Sequence, residues 1–488
     1  MNIDCCKTCT ILVAASCFML LVACATPFER TLKTTREDPA LIGSQSALVV
    51  KSLSDGAFII QSHADRFFIP ASNMKLFTTA AALVLLGPEF RYATNLYVDG
   101  EPIDGVMYGN LVIRGVGDPT LSGRFHARGA DEIFTQWAET LLNMGVREVR
   151  GNIVGDGSLF GGDYLGAGWA WDDEVYCYSA EISALSVNDN CVAVSIRPGT
   201  NAGEPALVSV DDLTGLLLLR TQAVTAAQGE EPSLHVSREP GSNILTVAGS
   251  IAADAAGMEF FVSIHRPALF AAAHLQRALE SKGIRVSGTA TDQQSLRESF
   301  SYESTKLVAS YTSPPLREII THINKSSSNL YAELLFRTLG ERFRGNGSAK
   351  TAVEALREIL TNMSVPADSI VVYDGSGLSR MNLVTPSALT ALLEYMYRHE
   401  HFSYFLASLP VSGVDGTLSK RMRHTPAGGR IFAKTGSMTH VQNLSGYLKG
   451  GQGEMYLFSF LVNNFSGSAE SVRQLQDALL ARLVDLAK

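Results

Sequence analysis

Pro70-Ala71-Ser72-Asn73-Met74-Lys75 opens the stretch PASNMKLFTTAAALVLLG at residues 70–87 and sets a serine and a lysine three positions apart at the head of an apolar segment. Leu76, Phe77, Ala80, Leu83 and Val84 recur at helical spacing, Pro70 suits the approach to a first turn, and Gly87-Pro88 stops the pattern, so the stretch reads as a helix. On a helix, residues i and i+3 share one face with Cβ atoms about 5–6 Å apart, close enough for a hydroxyl and an amine to share a proton. A serine hydroxyl is a poor nucleophile at neutral pH and needs a positioned base. Lysine can serve only where burial or neighbouring positive charge keeps its amine partly neutral. Alone, the pair also fits a bland reading: a capping serine followed by a solvent-exposed lysine.

Two further clusters bear on that choice. Ser327-Ser328-Asn329, after Asn324-Lys325, opens a helical pattern through Glu333. Ser327 could relay a proton to a leaving group and Asn329 could bond a substrate amide, although a cluster of helix caps looks the same in isolation. Lys434-Thr435-Gly436 lies on the strand RIFAKTGSM. Alternation puts Lys434 and Gly436 on one face and Thr435 on the other. Gly436 permits close backbone approach of a peptide-like ligand, which can pair along a strand edge. Lys434 adds positive charge that would help hold Lys75 neutral, and Thr435 and Ser437 offer hydroxyls to a carboxylate.

Ser-x-x-Lys, Ser-x-Asn and Lys-Thr-Gly in that order resemble the signature of penicillin-binding proteins and serine β-lactamases. Around them, Gly117-Asp118-Pro119-Thr120, Ser183-Ala184-Leu185-Ser186-Val187-Asn188, Asp374-Gly375-Ser376-Gly377-Leu378-Ser379-Arg380 and Gly413-Val414-Asp415-Gly416-Thr417-Leu418 look like segments of one family. That family is the class C low-molecular-mass penicillin-binding proteins, the PBP4-type D-alanyl-D-alanine carboxypeptidases and endopeptidases of peptidase family S13. The resemblance runs from about residue 40 to 465, with the long separation of first and second motifs typical of it.

The resemblance implies an α/β (α+β) fold: a transpeptidase/β-lactamase-like domain of antiparallel sheet flanked by helices, interrupted by a mostly β insert of one or two domains. It implies cleavage of the terminal D-Ala-D-Ala bond of peptidoglycan stem peptides, or of the D-Ala to diamino-acid cross-link, and acylation of the same serine by β-lactams. The implied catalytic residues are Ser72, Lys75, Ser327, Asn329 and Lys434. The backbone N–H groups of Ser72 and Ser437 form the implied oxyanion hole, Thr435, Gly436 and Ser437 bind substrate, and Arg380 reaches a carboxylate on the diamino acid unless it is spent in a structural salt bridge. No metal or other cofactor is expected. The chain departs from the family pattern at Ser328, where Asp is common, and at His440, where Gly is common. A β-lactamase or esterase of the same superfamily and a non-catalytic wall-binding lipoprotein are the alternatives.

The rest of the chain fits this layout. Residues 46–60 read as a hairpin around Ser-Asp-Gly, and short alternating stretches between about 90 and 300 read as strands, with a long aromatic and acidic loop near 161–175 and a helix near 266–283. Helical patterns at 328–340, 351–363, 385–399 and 471–487 alternate with strands at RIFAKTGSM, LSGYLKG and EMYLFSFLVNN, the last apolar on both sides as a central strand is. Expected divisions are 1–23 as signal, 24–95 and 306–488 as the two parts of the catalytic domain, and 96–305 as the insert.

A net charge of -8 with no basic block excludes nucleic acid as the main partner. The leader MNIDCCKTCTILVAASCFMLLVACATP reads as an export signal, since its apolar run is shorter than the ~20 residues of a spanning helix. Leu21-Val22-Ala23-Cys24 resembles a lipobox, which implies lipidation of Cys24, a membrane tether and, with Ala25 next, the outer membrane. Five of seven cysteines lie in this leader. Cys177 and Cys191 remain, either bridged in an oxidising compartment or buried as free thiols.

Overall fold

Strands from both ends of the chain meet in one sheet. The structure, a computed structural model, describes residues 37–296 and 301–486, so the leader with Cys24 lies outside the described residues. The sheet is antiparallel throughout, in the order Phe58–Ser62, Gln45–Ser52, Met455–Asn463, Val441–Lys449, Ile431–Met438. Met455–Asn463 is therefore the middle strand, and its alternation feeds two cores. Leu457 and Leu461 face one layer of helices, whereas Phe458, Phe460 and Val462 face the other side with Leu480 and Leu483 of the C-terminal helix Ala469–Leu486.

The helix Met74–Leu86 sits inside the first layer, buried along its length from Met74 to Leu83. That burial accounts for a segment apolar on nearly every side. Around it pack Leu316–Ser326, Asn329–Arg344, Ala349–Asn362 and Pro386–Arg398. Each Leu or Phe removed from water in this layer contributes roughly 1.5–3 kcal/mol. The arrangement is the α/β fold expected from the motifs, with helices on both faces of the sheet.

The insert leaves after Met74–Leu86 and returns before Leu316–Ser326. It holds a five-stranded sheet in the order Ala290–Asp292, Ile153–Asp156, Leu111–Arg114, Ala93–Val98, Lys306–Thr312, a smaller four-stranded sheet, and two three-stranded sheets. It also holds two helices. Pro267–Ser281 matches the expected one, but Ala130–Asn143 was not anticipated, although Ile133, Phe134, Trp137, Ala138 and Leu141 make its buried stripe. A crossover is required there, because Leu111–Arg114 pairs in parallel with Ile153–Asp156. Cys177 and Cys191 form a disulfide across 14 residues. Among the described residues, no helix is long and apolar enough to cross a membrane.

Candidate active site

Ser72 rides on a short 3-10 turn, Ala71–Asn73, that runs directly into Met74–Leu86. Ala71 has φ 46, a left-handed conformation that non-glycine residues rarely adopt. The turn is held there from beneath: Asn443 Nδ2 donates to the Ile69 and Pro70 carbonyls at 2.9 Å each, and Asn73 Nδ2 donates to Ser445 Oγ at 2.9 Å. Two glycines, Gly377 and Gly436, make room for it. A Cβ on Gly436 would lie 2.6 Å from the Pro70 oxygen, so Gly436 accommodates the serine turn itself.

Lys75 is wholly buried, and its Nζ makes three contacts: Ser72 Oγ at 2.9 Å, Asn329 Oδ1 at 2.6 Å and the Ser376 carbonyl at 2.7 Å. Burial pushes its pKa down to about 7, against the pull of Asp374 and Glu333. Burial, rather than the charge of Lys434, thus accounts for a lysine that is partly neutral near pH 7. With the amine neutral, the hydrogen bond reverses and Ser72 donates to Nζ.

Ser327 closes Leu316–Ser326 in a left-handed conformation, and Asn329 begins the next helix. Between them Ser328 caps that helix, its hydroxyl accepting from the Tyr331 amide at 3.4 Å. Ser and Asp cap equally well, which explains why the departure at Ser328 is tolerated. Lys434 is also fully buried, and its Nζ donates to Ser327 Oγ and to the Thr435 carbonyl, both at 2.9 Å. Its pKa is pushed well down by burial and then by Lys75. Asn329 Nδ2 donates to the Tyr178 carbonyl at 2.8 Å, which brings the disulfide loop of the insert to the site.

Ile431–Met438 is the edge strand, and its backbone tells which groups face outward. The Ala433 N–H bonds the Pro410 carbonyl outside the sheet, so by alternation the N–H groups of Thr435 and Ser437 face the same open edge. The Thr435 and Ser437 side chains line a cleft of about 310 Å³ together with Ser72, Ser327 and Thr417. Thr417 Oγ1 accepts from Thr435 Oγ1 at 2.9 Å, and Asp415 anchors the Thr417 loop by accepting from Lys325 Nζ at 2.6 and 2.8 Å.

Arg380 is exposed, donates to the Thr439 carbonyl at 3.0 Å and has no ion-pair partner among the described residues, so no structural salt bridge occupies it. His440 occupies the turn after the strand with φ 62, the conformation that favours glycine at this place, and its Nδ1 is 2.8 Å from the Phe465 carbonyl.

Supporting residues stand outside the three catalytic motifs: Glu333 carries no motif of its own, and Asp374 opens the Asp374–Arg380 segment. Buried Glu333 accepts the amides of Gly375 and Ser376 at 3.0 and 2.7 Å. Its pKa is pushed up to about 7 by burial, with Asp374 adding to the rise. Asp374 accepts the amides of Gly377 and Ser379 and the indole N–H of Trp169 at 2.9 Å. The spacing of Glu333, one helical turn after Asn329, was the available signal.

A nucleophile-ready hydroxyl, a buried amine beside it, a second buried amine touching a second hydroxyl, and outward strand amides suit acyl transfer. The comparisons with known proteins agree. A family model described as the D-Ala-D-Ala carboxypeptidase 3 (S13) family matches residues 28–484. A D-alanyl-D-alanine carboxypeptidase of Actinomadura sp. (strain R39) is 36% identical over 473 residues, 95% of this chain and 85% of that protein. D-alanyl-D-alanine carboxypeptidase DacB of Haemophilus influenzae is 28% identical over 95% of each chain. The crystal structure of penicillin binding protein 4 from Haemophilus influenzae is similar with a TM-score of 0.82 at 27% identity, covering 93% of this chain and 99% of that one. A second structure of that protein, complexed with a β-lactam, gives a TM-score of 0.78 at 25% identity, covering 94% and 99%.

Proposed function

The chain belongs to the D-Ala-D-Ala carboxypeptidase 3 (S13) family, and from that premise we propose that Ser72 attacks the carbonyl of the penultimate D-Ala of a peptidoglycan stem peptide while Lys75 takes its proton. The protein is an enzyme, a penicillin-binding serine-type D-Ala-D-Ala carboxypeptidase of the PBP4-like class. The observation that carries the residue assignment is the buried Lys75 Nζ, 2.9 Å from Ser72 Oγ.

The mechanism runs in two steps. Ser72 Oγ bonds to the carbonyl carbon and its proton passes to Lys75. The oxyanion is met by the Ser72 and Ser437 amides, a kind of stabilisation whose loss costs about 100- to 1000-fold in rate. As the C–N bond breaks, Ser327, backed by Lys434, relays the proton held on Lys75 to the departing amine, leaving Lys75 neutral for the second step. Asn329 holds Lys75 and the substrate amide, and Thr435, Ser437 and Thr417 meet the terminal carboxylate. Gly436 belongs to this binding edge by making room for the serine turn. Arg380 reads a charged group on the acyl side. Water then attacks the ester, returning its proton through Lys75 and freeing Ser72.

The test is D-Ala release from a synthetic pentapeptide ending in D-Ala-D-Ala. The parent chain releases it and Ser72→Ala does not; release by Ser72→Ala overturns the assignment.

The same reading extends to location, cross-links and domains. The enzyme is exported and tethered through lipidated Cys24 on the periplasmic side of the outer membrane, and Cys24→Ser abolishes lipid labelling; membrane association unchanged in that variant counts against it. Cleavage of D-Ala cross-links accompanies carboxypeptidase action. The catalytic domain comprises two parts, expected at 24–95 and 306–488, with the insert between them; the paired strands Ala93–Val98 and Lys306–Thr312 go with the insert's sheet, so its ends lie a few residues outside 96–305.

A further inference from the structure

The cleft beside Ser72 offers more hydroxyl and guanidinium groups than one carboxylate requires. Its walls carry five hydroxyls, those of Ser72, Ser327, Thr417, Thr435 and Ser437, and two guanidinium groups, Arg421 and Arg473, with no carboxylate among the lining residues. Both arginines are braced. Arg421 donates Nε and Nη2 to one oxygen of Asp477 at 2.9 and 2.7 Å, and Arg473 donates Nε and Nη2 to one oxygen of Glu470 at 3.0 and 2.7 Å. Among the described residues, neither Nη1 has a protein acceptor, so each guanidinium keeps donors for a ligand.

The two sit at different depths. The Arg421 side chain is 13% exposed and that of Arg473 37%, which ranks them from inner wall to mouth. The C-terminal helix is also tied to the edge strand: Ser437 Oγ donates to Gln442 Oε1 at 2.8 Å, and Gln476 Nε2 donates to the Gln442 carbonyl at 3.2 Å. The helix that carries Arg473 is therefore part of the cleft's frame.

Ser327 tells which half of a substrate faces these arginines. It is the hydroxyl assigned to the departing amine, it touches Lys434 at 2.9 Å, and it lines this same cleft. Arg380 lies outside that lining, toward Thr439 at the far end of the strand.

We propose that Arg421 and Arg473 form a leaving-group subsite selecting an amine that bears more than one carboxylate, a neighbouring stem peptide in preference to a single D-alanine. The inference rests on the carboxypeptidase reading above. One carboxylate is met by Thr417, Thr435, Ser437 and the inner Arg421, and a second, farther along the leaving peptide, reaches Arg473. Guanidinium suits this task because it binds carboxylate through paired donors.

The test uses the whole exported chain as parent, Arg473→Gln and Arg473→Lys, each given fluorescent penicillin, a pentapeptide ending in D-Ala-D-Ala and a muropeptide dimer cross-linked through D-Ala. The expected result is a rise in KM for the dimer in Arg473→Gln that cuts its kcat/KM about tenfold relative to the pentapeptide, partly restored in Arg473→Lys. Equal losses on dimer and pentapeptide, or no loss on the dimer, overturn the proposal. A parent that takes penicillin and trims the pentapeptide but leaves the dimer intact overturns the subsite alone. A parent that takes penicillin and cuts neither peptide overturns the subsite together with the reading beneath it.

Discussion

The Ala71 carbonyl and Gly377 are pressed together so closely that a Cβ on Gly377 would stand 1.8 Å from the Ala71 oxygen. Gly377 also has φ 82, a conformation that disfavours side chains, so neither partner can yield without moving the turn that aims Ser72. Gly377→Ala is therefore predicted to cost about 1–3 kcal/mol of stability. It should also slow penicillin acylation about 100-fold or more, as expected when a reacting group is displaced by an ångström. Thermal melts and acylation kinetics on the same preparation check this, and a variant acylated within twofold of the parent contradicts it.

The pH dependence follows from which form of Lys75 reacts. With its neutral amine as the proposed base and burial bringing its pKa down to about 7, acylation should rise with pH through an apparent value near 7. Asp374 and Glu333 both favour the charged amine. Glu333→Gln keeps an oxygen for the Gly375 and Ser376 amides while removing the negative charge, so it should shift the rising limb to lower pH. Stopped-flow acylation from pH 5 to 9 measures the limb, and a limb that stays put or moves up contradicts the account.

Ser327 and Lys434 are joined by a 2.9 Å contact, and the proposed mechanism makes them act as a pair. Ser327→Ala and Lys434→Met should each lower pentapeptide turnover by about 100-fold or more, in the range expected for loss of a positioned proton donor. Their combined loss should be much smaller than the product of the two. A double variant whose defect is the full product of the singles contradicts a shared step.

The Cys177–Cys191 bridge closes a 14-residue loop that carries the Tyr178 carbonyl to Asn329. Cys177→Ala with Cys191→Ala should lower stability by about 3 kcal/mol in the chain-entropy account. It should also reduce turnover, since Asn329 loses its partner. Melting with and without reductant checks the first part; a parent indifferent to reductant contradicts it.

What was legible in the sequence was whatever short spacing controls. Ser72 and Lys75 share a helix face, Lys434 and Thr435 split by strand alternation, and the two-sided apolar pattern of Met455–Asn463 marked a central strand before any sheet was known. Long-range partners were not legible in this way. Glu333 and Asp374 lie 41 positions apart and come together only because the helix Asn329–Arg344 and the Asp374 loop converge beside Lys75, and the pairing of Cys177 with Cys191 was open until the backbone brought them together. Ala130–Asn143 was missed where its stripe was readable, because the surrounding strands set the expectation. Arg421 and Arg473 look like surface arginines in the sequence, and only the packing of Ala469–Leu486 on Val441–Lys449, with Asp477 of that helix holding Arg421, brings them to the cleft.

The central claim is that Ser72 forms the covalent bond, and peptide mapping by mass spectrometry after incubation with benzylpenicillin tests it most directly. The account predicts the full mass of penicillin added to the peptide holding Ser72, with no adduct in Ser72→Ala. An adduct mapped to any other residue, or one that persists in Ser72→Ala, would contradict it.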